Sequence, residues 1–401
     1  MDLHSGLPFS LIHHGLPFQY PKLAKSIQAD VVIIGGGISG ALTAHYLTLA
    51  GIECILVDGR TIGLGSTCAS TSLLQYEIDV SLADLITLRG KRHAVRAYHL
   101  CREAIEKLAQ VSKRVGVPDF EFCQSLYFAA FKKDAGFLQQ EYELRKSMGL
   151  CVMLLGQGDI EKRFGFSAPS AILSDHGAHV DAYILTHLLL QHGIKNGLKV
   201  FDRTFIGKVV RHRRSVTLKT SDGFSLQAKK LINATGYEVT TFLKKKIVKL
   251  HSTYATISEH MPEYHDLWNS RTLFWNTAKP YLYFRKSEDG RILIGGRDED
   301  FFNPTRRDKL IAAKAKHLAK DFNKLFPATV FKPEFSWTGT FGSTPDGLPF
   351  IGAYPSNAHT YYALGFGGNG ITFSLIAAEI LTNILLGKRC KDVALFSFDR
   401  V

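Results

Sequence analysis

The sequence predicts an α/β fold, with a parallel-sheet unit at the front of the chain and a second lobe built on a mostly antiparallel sheet. Three observations carry this. The branched apolar run Val31–Ile34 falls into glycines at 35, 37 and 40 and then into a helical apolar stripe. A second strand, glycine turn and helix follow at 361–387. Between them, two segments at about 100–170 and 240–335 carry alternating strand patterns.

Composition bounds the possibilities. A chain of 401 residues, 45% hydrophobic and 21% charged, buries a large core and falls outside the disordered and fibrous classes. Lys and Arg outnumber Asp and Glu by 49 to 36, a formal charge of +13. The basic clusters, Lys244–Lys246 and Arg211–Arg214, are short, so the surplus reads as solvated surface and a nucleic-acid partner is not expected. The six cysteines, at 54, 68, 101, 123, 151 and 390, show neither CxxC pairs nor zinc spacing. Neither a metal site nor a disulfide framework is expected. No charged-then-apolar leader opens the chain, and no window approaches the ~20 uncharged apolar residues of a membrane span. These features predict a cytoplasmic protein.

The opening unit is justified element by element. Val31–Ile34 suits a strand buried on both faces of a parallel sheet. After the glycines, Ile38, Ala41, Leu42, Ala44 and Leu49 form a helical stripe that stops at Gly51. "ECILVD" is a second buried strand ending in Asp58. Strand, glycine turn, helix, strand and acid in this order make a dinucleotide-binding unit: Gly35 allows the tight turn, Gly37 close approach of backbone to a pyrophosphate, and Gly40 helix packing on the strand. The helix N-terminus, with Ile38 and Ser39, faces the phosphates, and Asp58 accepts from a ribose diol. An acid there disfavours a 2′-phosphate, leaving NAD and FAD.

The following elements bear on that choice. Residues 59–79 form a long loop rich in small and hydroxyl side chains, including Ser66 and Thr67, suited to wrapping a second phosphate. "KKLINATGYE" is a strand running into the small turn Ala234-Thr235-Gly236. The stretch 361–387 is a strand, the turn Gly367-Gly368-Asn369-Gly370 and a helix whose buried face is Ile371, Leu375, Ile376, Ile380, Leu381 and Leu385.

"DVVIIGGGISG", "NATGYE", "DGLPFIG" and "ALGFGGNGI" together resemble the blocks of the D-amino-acid oxidase and glycine oxidase superfamily of FAD-dependent amine oxidoreductases, over nearly the whole chain. The resemblance implies a Rossmann-like FAD-binding domain with an interleaved α+β substrate domain. The expected division is 1–99, 171–240 and 336–401 for FAD, with 100–170 and 241–335 for substrate. It further implies that Gly35, Gly37 and Gly40 face the pyrophosphate, that Asp58, Gly59 and Arg60 lie at the adenosine ribose, and that Ser66 and Thr67 bind phosphates and ribityl chain. Val209 matches the residue whose backbone meets adenine, and Gly367, Gly368, Asn369, Gly370 and Ile371 the turn and helix start under the flavin. Ala69, where some relatives carry a tethering histidine, implies noncovalent FAD.

In the second lobe, residues 126–131, 252–258, 272–276, 281–285 and 291–296 read as strands, the last two joined through Asp289-Gly290. The polar-tipped residues His251, Tyr254, Tyr281, Tyr283 and Arg285 are the substrate-site candidates, with Arg271 and Arg297 as competing anion binders. Phe341 and Gly368 stand where amino-acid-oxidising relatives carry arginines for a substrate carboxylate, so a free α-amino acid is a less secure substrate. The resulting expectation is oxidation of a C–N bond in an amine or amino-acid-like molecule: hydride passes to flavin N5, water hydrolyses the imine, and dioxygen or a quinone-type carrier is the acceptor. A tRNA-nucleoside-modifying amine oxidoreductase and a flavin-binding protein without turnover are the competing readings.

Overall fold

The computed structural model describes residues 1–241, 247–260, 267–268, 271–287, 289–354, 356–357 and 359–400. The basic run Lys244–Lys246 lies outside them. Arg211 ends a strand, and residues 212–214 form the exposed connection after it.

The first sheet is built around Ile27–Ile34, flanked in parallel by Cys54–Val57 and Ser225–Asn233. Lys199–Phe201 extends it beyond Cys54–Val57, and Thr360–Leu364 beyond Ser225–Asn233. Phe350–Ala353 closes that edge antiparallel. Val32, Ile33, Ile55 and Leu56 are fully buried, as β-branched and apolar strand residues covered on both faces should be. On one face pack Ile38–Leu49, Lys91–Val115, Ala182–Lys195 and Gly370–Leu385; on the other, the hairpin of Ile206–Arg211 and Val216–Thr220 supplies a second apolar cluster.

The helix Ile38–Leu49 buries Ala41, Leu42, Ala44 and Leu47, and Gly51 beyond it takes φ +75°. Leu49 corrects the expected stripe. It is 47% exposed, because in the final turn the stripe runs out onto the surface. Gly367–Leu385 is long and apolar enough to cross a bilayer, yet 67% of its most apolar window is buried in the protein, which is the signature of a core helix.

Among the described residues the second sheet has ten strands. Its central run is Pro333–Ser343, Lys249–Ser258, Ile292–Glu299, Tyr283–Lys286 and Thr272–Asn276, each antiparallel to the next. Thr272–Asn276 then pairs in parallel with Glu121–Phe128. Helices Gln157–Phe164 and Ile311–Leu325 cover one face over an aromatic core of Phe164, Phe274, Phe284, Phe322 and Phe326. The other face looks towards the glycine turns of the first sheet.

Sheet membership crosses the expected segment boundaries. His4–Gly6, Leu73–Gln75, Ser170–His179 and Pro333–Ser343 all hydrogen-bond into the second sheet. Burial patterns in a sequence show that a segment is a strand, whereas the partner is decided by register, and here the partners are distant.

Candidate active site between the two sheets

A cavity of about 900 Å³ lies between the C-terminal ends of the first sheet's strands and the open face of the second. Its floor is made by glycines that cannot be otherwise. Gly35 has φ +113°, and a Cβ there would lie 2.3 Å from the Ala234 carbonyl oxygen; at Gly40 it would lie 1.8 Å from that of Gly35. Gly35, Gly37, Ile38 and Ser39 line the cavity, while Gly40 sits beneath the turn and lets it close. A Cβ on Gly37 would come within 2.8 Å of Thr67 Oγ1, which already accepts from the Ile38 amide at 3.1 Å. The 59–79 loop is therefore fastened to the helix start. Ser39 Oγ meets Ser374 Oγ at 2.7 Å, joining this helix to Gly370–Leu385.

Asp58 ends its strand with both carboxylate oxygens engaged. Oδ2 accepts from the Gly36 amide at 2.6 Å and Oδ1 from the Arg60 amide at 2.7 Å. Burial raises its carboxyl above the usual range, and the two N–H donors oppose that rise. Arg60 donates to Glu238 at 2.9 Å, tying this corner to the turn at Gly236–Thr241. Gly59, Phe205, Ile206 and Gly207 wall this end. Val209 does not: it lies farther along its strand, opposite Leu218 and packed into the apolar cluster behind the sheet. The expected backbone wall is displaced two to four residues towards the strand's start, where the chain still borders the cavity.

Midway along, Ser66, Thr67, Ala69, Ala234, Thr235 and Gly236 line the space. Ser66 Oγ is buried without a protein partner. Farther on, Gly367, Gly368, Gly370 and Ile371 contribute their backbone. Asn369 does not reach the cavity, because its amide donates to the Gln75 and Glu77 carbonyl oxygens at 2.9 and 2.8 Å, stapling the turn in place. The Gly368 amide donates to Asp79 Oδ2 at 2.8 Å, and a Cβ on Gly368 would stand 2.7 Å from Asp79 Oδ1.

A model of the DAO family, described as FAD dependent oxidoreductase, matches residues 30–384. The chain belongs to this family. Among curated relatives it is 25% identical over 391 residues to the gamma-glutamylputrescine oxidoreductase of Escherichia coli K12, covering 92% of this chain and 86% of that one. It is 23% identical over 385 residues to the glycine oxidase of Bacillus subtilis, covering 92% and 96%. Of solved structures, glycine oxidase from Geobacillus kaustophilus superposes with TM-score 0.77 at 19% identity, over 93% of this chain and 99% of that. L-Proline dehydrogenase from P. horikoshii gives 0.78 at 19%, over 94% and 97%. These likenesses establish the fold.

The far end of the cavity in this DAO-family flavoenzyme is formed by Tyr281, Tyr283, Asp298, Thr253, Phe341 and Trp337. Tyr281 donates to Asp79 Oδ1 at 3.3 Å, and burial, helped by the Asp79 charge, holds its hydroxyl well above the usual range. Trp337 Nε1 donates to the Ala69 carbonyl oxygen at 2.9 Å.

Two sequence candidates fall elsewhere, and a third borders the cavity with its hydroxyl bonded away from it. Arg285 turns away from the cavity and donates to the Thr71 and Lys286 carbonyl oxygens at 3.1 and 3.0 Å; a guanidinium at a strand end finds backbone oxygens before it finds open space. His251 bonds Ser343 Oγ at 2.8 Å and Asp300 at 3.1 Å while packed against Phe341. Tyr254 touches the cavity wall, but its hydroxyl goes to the Arg307 carbonyl oxygen at 3.4 Å on the helix-covered face. The competing arginines are also engaged, Arg271 with Glu121 and Arg297 with Asp321.

Sequence reasoning missed Asp79 and Asp298. Asp298 had a signal: Gly295-Gly296 inside a strand marks an irregularity that re-aims the next side chains. It also missed that Glu121, Cys123 and His179 bring ligand-type atoms within 4.8 Å. Glu121 there already pairs with His179 and with Arg271, and Arg271 and Arg285 help burial to hold the imidazole down at about 3.

Proposed function

We propose that this FAD-dependent oxidoreductase oxidises the C–N bond of a small amine or amino-acid-like substrate, with the first sheet as cofactor lobe and the second as substrate lobe. The observation that carries the reading is the far end of the cavity. It is lined by aromatic rings and a carboxylate, and among the described residues the one arginine lining the cavity, Arg60, sits at the opposite end bound to Glu238. The names of the relatives, an oxidoreductase of gamma-glutamylputrescine and an oxidase of glycine, support nitrogen-bearing substrates.

The lining residues fit FAD. The amides of Gly37 and Ser39 and the unpartnered Ser66 hydroxyl would hold the pyrophosphate, Asp58 the ribose hydroxyls, and the Gly367–Gly370 turn the flavin edge, with the positive end of the helix Gly370–Leu385 beside it. When bound, FAD accepts hydride from the carbon next to nitrogen. The protein's part is placement and exclusion of water. Tyr281 and Tyr283 would pack against the substrate, Phe341 and Trp337 close the wall, and the turn held by Asp79 and Asn369 would hold the flavin edge. Water entering afterwards hydrolyses the imine.

Anaerobic mixing of the FAD-loaded protein with primary amines, secondary amines, N-methylated amino acids and D-amino acids tests the reading through bleaching of the flavin band. Amines should bleach it faster than glycine or D-alanine. Failure of every amine to bleach it, with FAD bound, would overturn the assignment.

A further inference from the structure

The strand Ile292–Glu299 changes face as it passes the cavity. Its register against Lys249–Ser258 shifts between the pairs Tyr254–Gly296 and Ser252–Glu299, so Arg297 and Asp298 together oppose Thr253. The bulge bends backbone into the left-handed region at Gly296, φ +133°, and at Arg297, φ +58°. Strict alternation would send Arg297 to the cavity with Leu293 and Gly295, and Asp298 to the helix side with Ile292 and Ile294. The bulge reverses this. Arg297 goes outward to Asp321 on the covering helix, and Asp298 lines the cavity.

A carboxylate has thus been turned inward at the cost of a non-glycine residue at positive φ, and its Oδ1 is buried without a hydrogen-bond partner. A buried carboxylate oxygen left without a donor is costly even though Thr253 bonds the carboxylate, and such strain persists where surrounding structure over-determines it. Tyr281 and Tyr283 stand beside it, their rings 5.8 Å apart. Aromatic faces next to a carboxylate recognise a cation. The same corner repels anions, because Asp79 stands behind Tyr281.

We propose that Asp298, with Tyr281 and Tyr283, forms a subsite for an alkylammonium group of the substrate. This deepens the amine-oxidation reading and rests on it for the word substrate. It favours molecules that carry a second, protonated nitrogen and disfavours those that carry a carboxylate at that end. Burial, reinforced by the Asp79 charge, raises the Asp298 carboxyl to about 6, against opposing contributions from Thr253 and Lys314. The other titratable groups at this corner are Asp79, Tyr281 and Tyr283, with Lys314 held by Glu299 behind the strand. Binding of a cation should therefore weaken as pH falls through about 6.

The test is calorimetric binding to the FAD-loaded protein at pH 8, using 1,4-diaminobutane, 1,4-butanediol and succinate as four-carbon probes. The diamine should bind and the diol and diacid should not. Asp298→Asn should weaken the diamine by about 10–100-fold with FAD retention unchanged, and wild-type affinity should fall at acid pH. Equal diamine affinity in a folded Asp298→Asn variant, preference for succinate, or no measurable diamine binding would overturn the subsite. Should the variant misfold, a flat pH profile of wild-type diamine binding between 5 and 8 overturns it. Diamine binding that depends on Asp298 without any flavin bleaching would retain the subsite and overturn the oxidation reading.

Discussion

Asp58 Oδ2 accepts the Gly36 amide at 2.6 Å, so the acid that ends one strand holds the glycine turn that ends its neighbour. The residue has a structural duty before any ribose arrives. Asp58→Ala removes this bond and the one from the Arg60 amide, each charge-assisted and worth about 1.5–3 kcal/mol. The FAD-free protein should unfold at lower temperature, and FAD affinity should fall by about 10–100-fold. An unchanged melting temperature without FAD would show that the turn holds itself.

Gly40→Ala places a methyl 1.8 Å from the Gly35 carbonyl oxygen. Overpacking against backbone costs about 1–3 kcal/mol or more, and here it also pushes the helix off the cofactor turn. The variant should lose FAD or fail to accumulate. Gly136→Ala, in the helix Ala135–Ser147 with nothing near its Cβ, is the control and should be neutral or stabilising by up to about 1 kcal/mol.

FAD should be bound noncovalently. Among the described residues lining the cavity there is neither histidine nor cysteine, and Ala69 is one of them; Cys68 turns away to the Gly65 carbonyl oxygen. Acid precipitation should release all the flavin into the supernatant, and a yellow pellet would contradict this.

Arg145 lies between Glu77 and Glu141, at 3.3 and 2.9 Å, with all three side chains buried. Glu141 also accepts the Leu82 and Ala83 amides at the start of a helix. Arg145→Met leaves two buried carboxylates facing each other without their cation and should destabilise by about 3–5 kcal/mol. Chemical unfolding of wild type and variant measures it.

Buried histidines should make the protein sensitive to acid. Burial holds His45 and His187 at about 4 and His179 at about 3, against 6.5 for free histidine. Between 6.5 and about 4 these histidines in the unfolded chain take up protons that the folded ones refuse, so their contribution to stability falls with pH across that window, by up to about 1.4 kcal/mol per unit for each histidine, while Asp298, raised to about 6, contributes with the opposite sign. His45 has no partner on either ring nitrogen. His45→Leu should flatten the acid limb of the melting-temperature profile; an unchanged slope would assign the sensitivity elsewhere.

The glycine-turn end of the cavity was legible because its determinants are local: strand, glycines, helix and acid lie within thirty residues, Gly35 and Gly40 are required by the Ala234 and Gly35 carbonyl oxygens, and Gly37 by Thr67 in the loop that follows. Even there Val209 was misplaced, by a shift along one strand. The end lined by Tyr281, Tyr283 and Asp298 was less legible. Arg285 had the right chemistry but met the Thr71 carbonyl first. Asp298 reaches the cavity only through a bulge that inverts alternation, and Asp79 comes to stand behind Tyr281 only because its loop meets the Gly368 turn 289 positions away.

The second sheet is assembled from widely separated parts of the chain, with His4 paired to Gly339 and Leu73 to His179. Emerging from a ribosome, the strand Lys249–Ser258 has one edge unsatisfied until Pro333–Ser343 follows it, and an open edge is a template for wrong partners. Such long-range pairing is slow to form. During synthesis there is thus a stage at which the first sheet lacks the strand Thr360–Leu364 and the second lacks Pro333–Ser343, so neither sheet is complete until the last quarter of the chain has been made. Over that interval the unpaired edges are the exposed surfaces at which a nascent chain is open to misassembly.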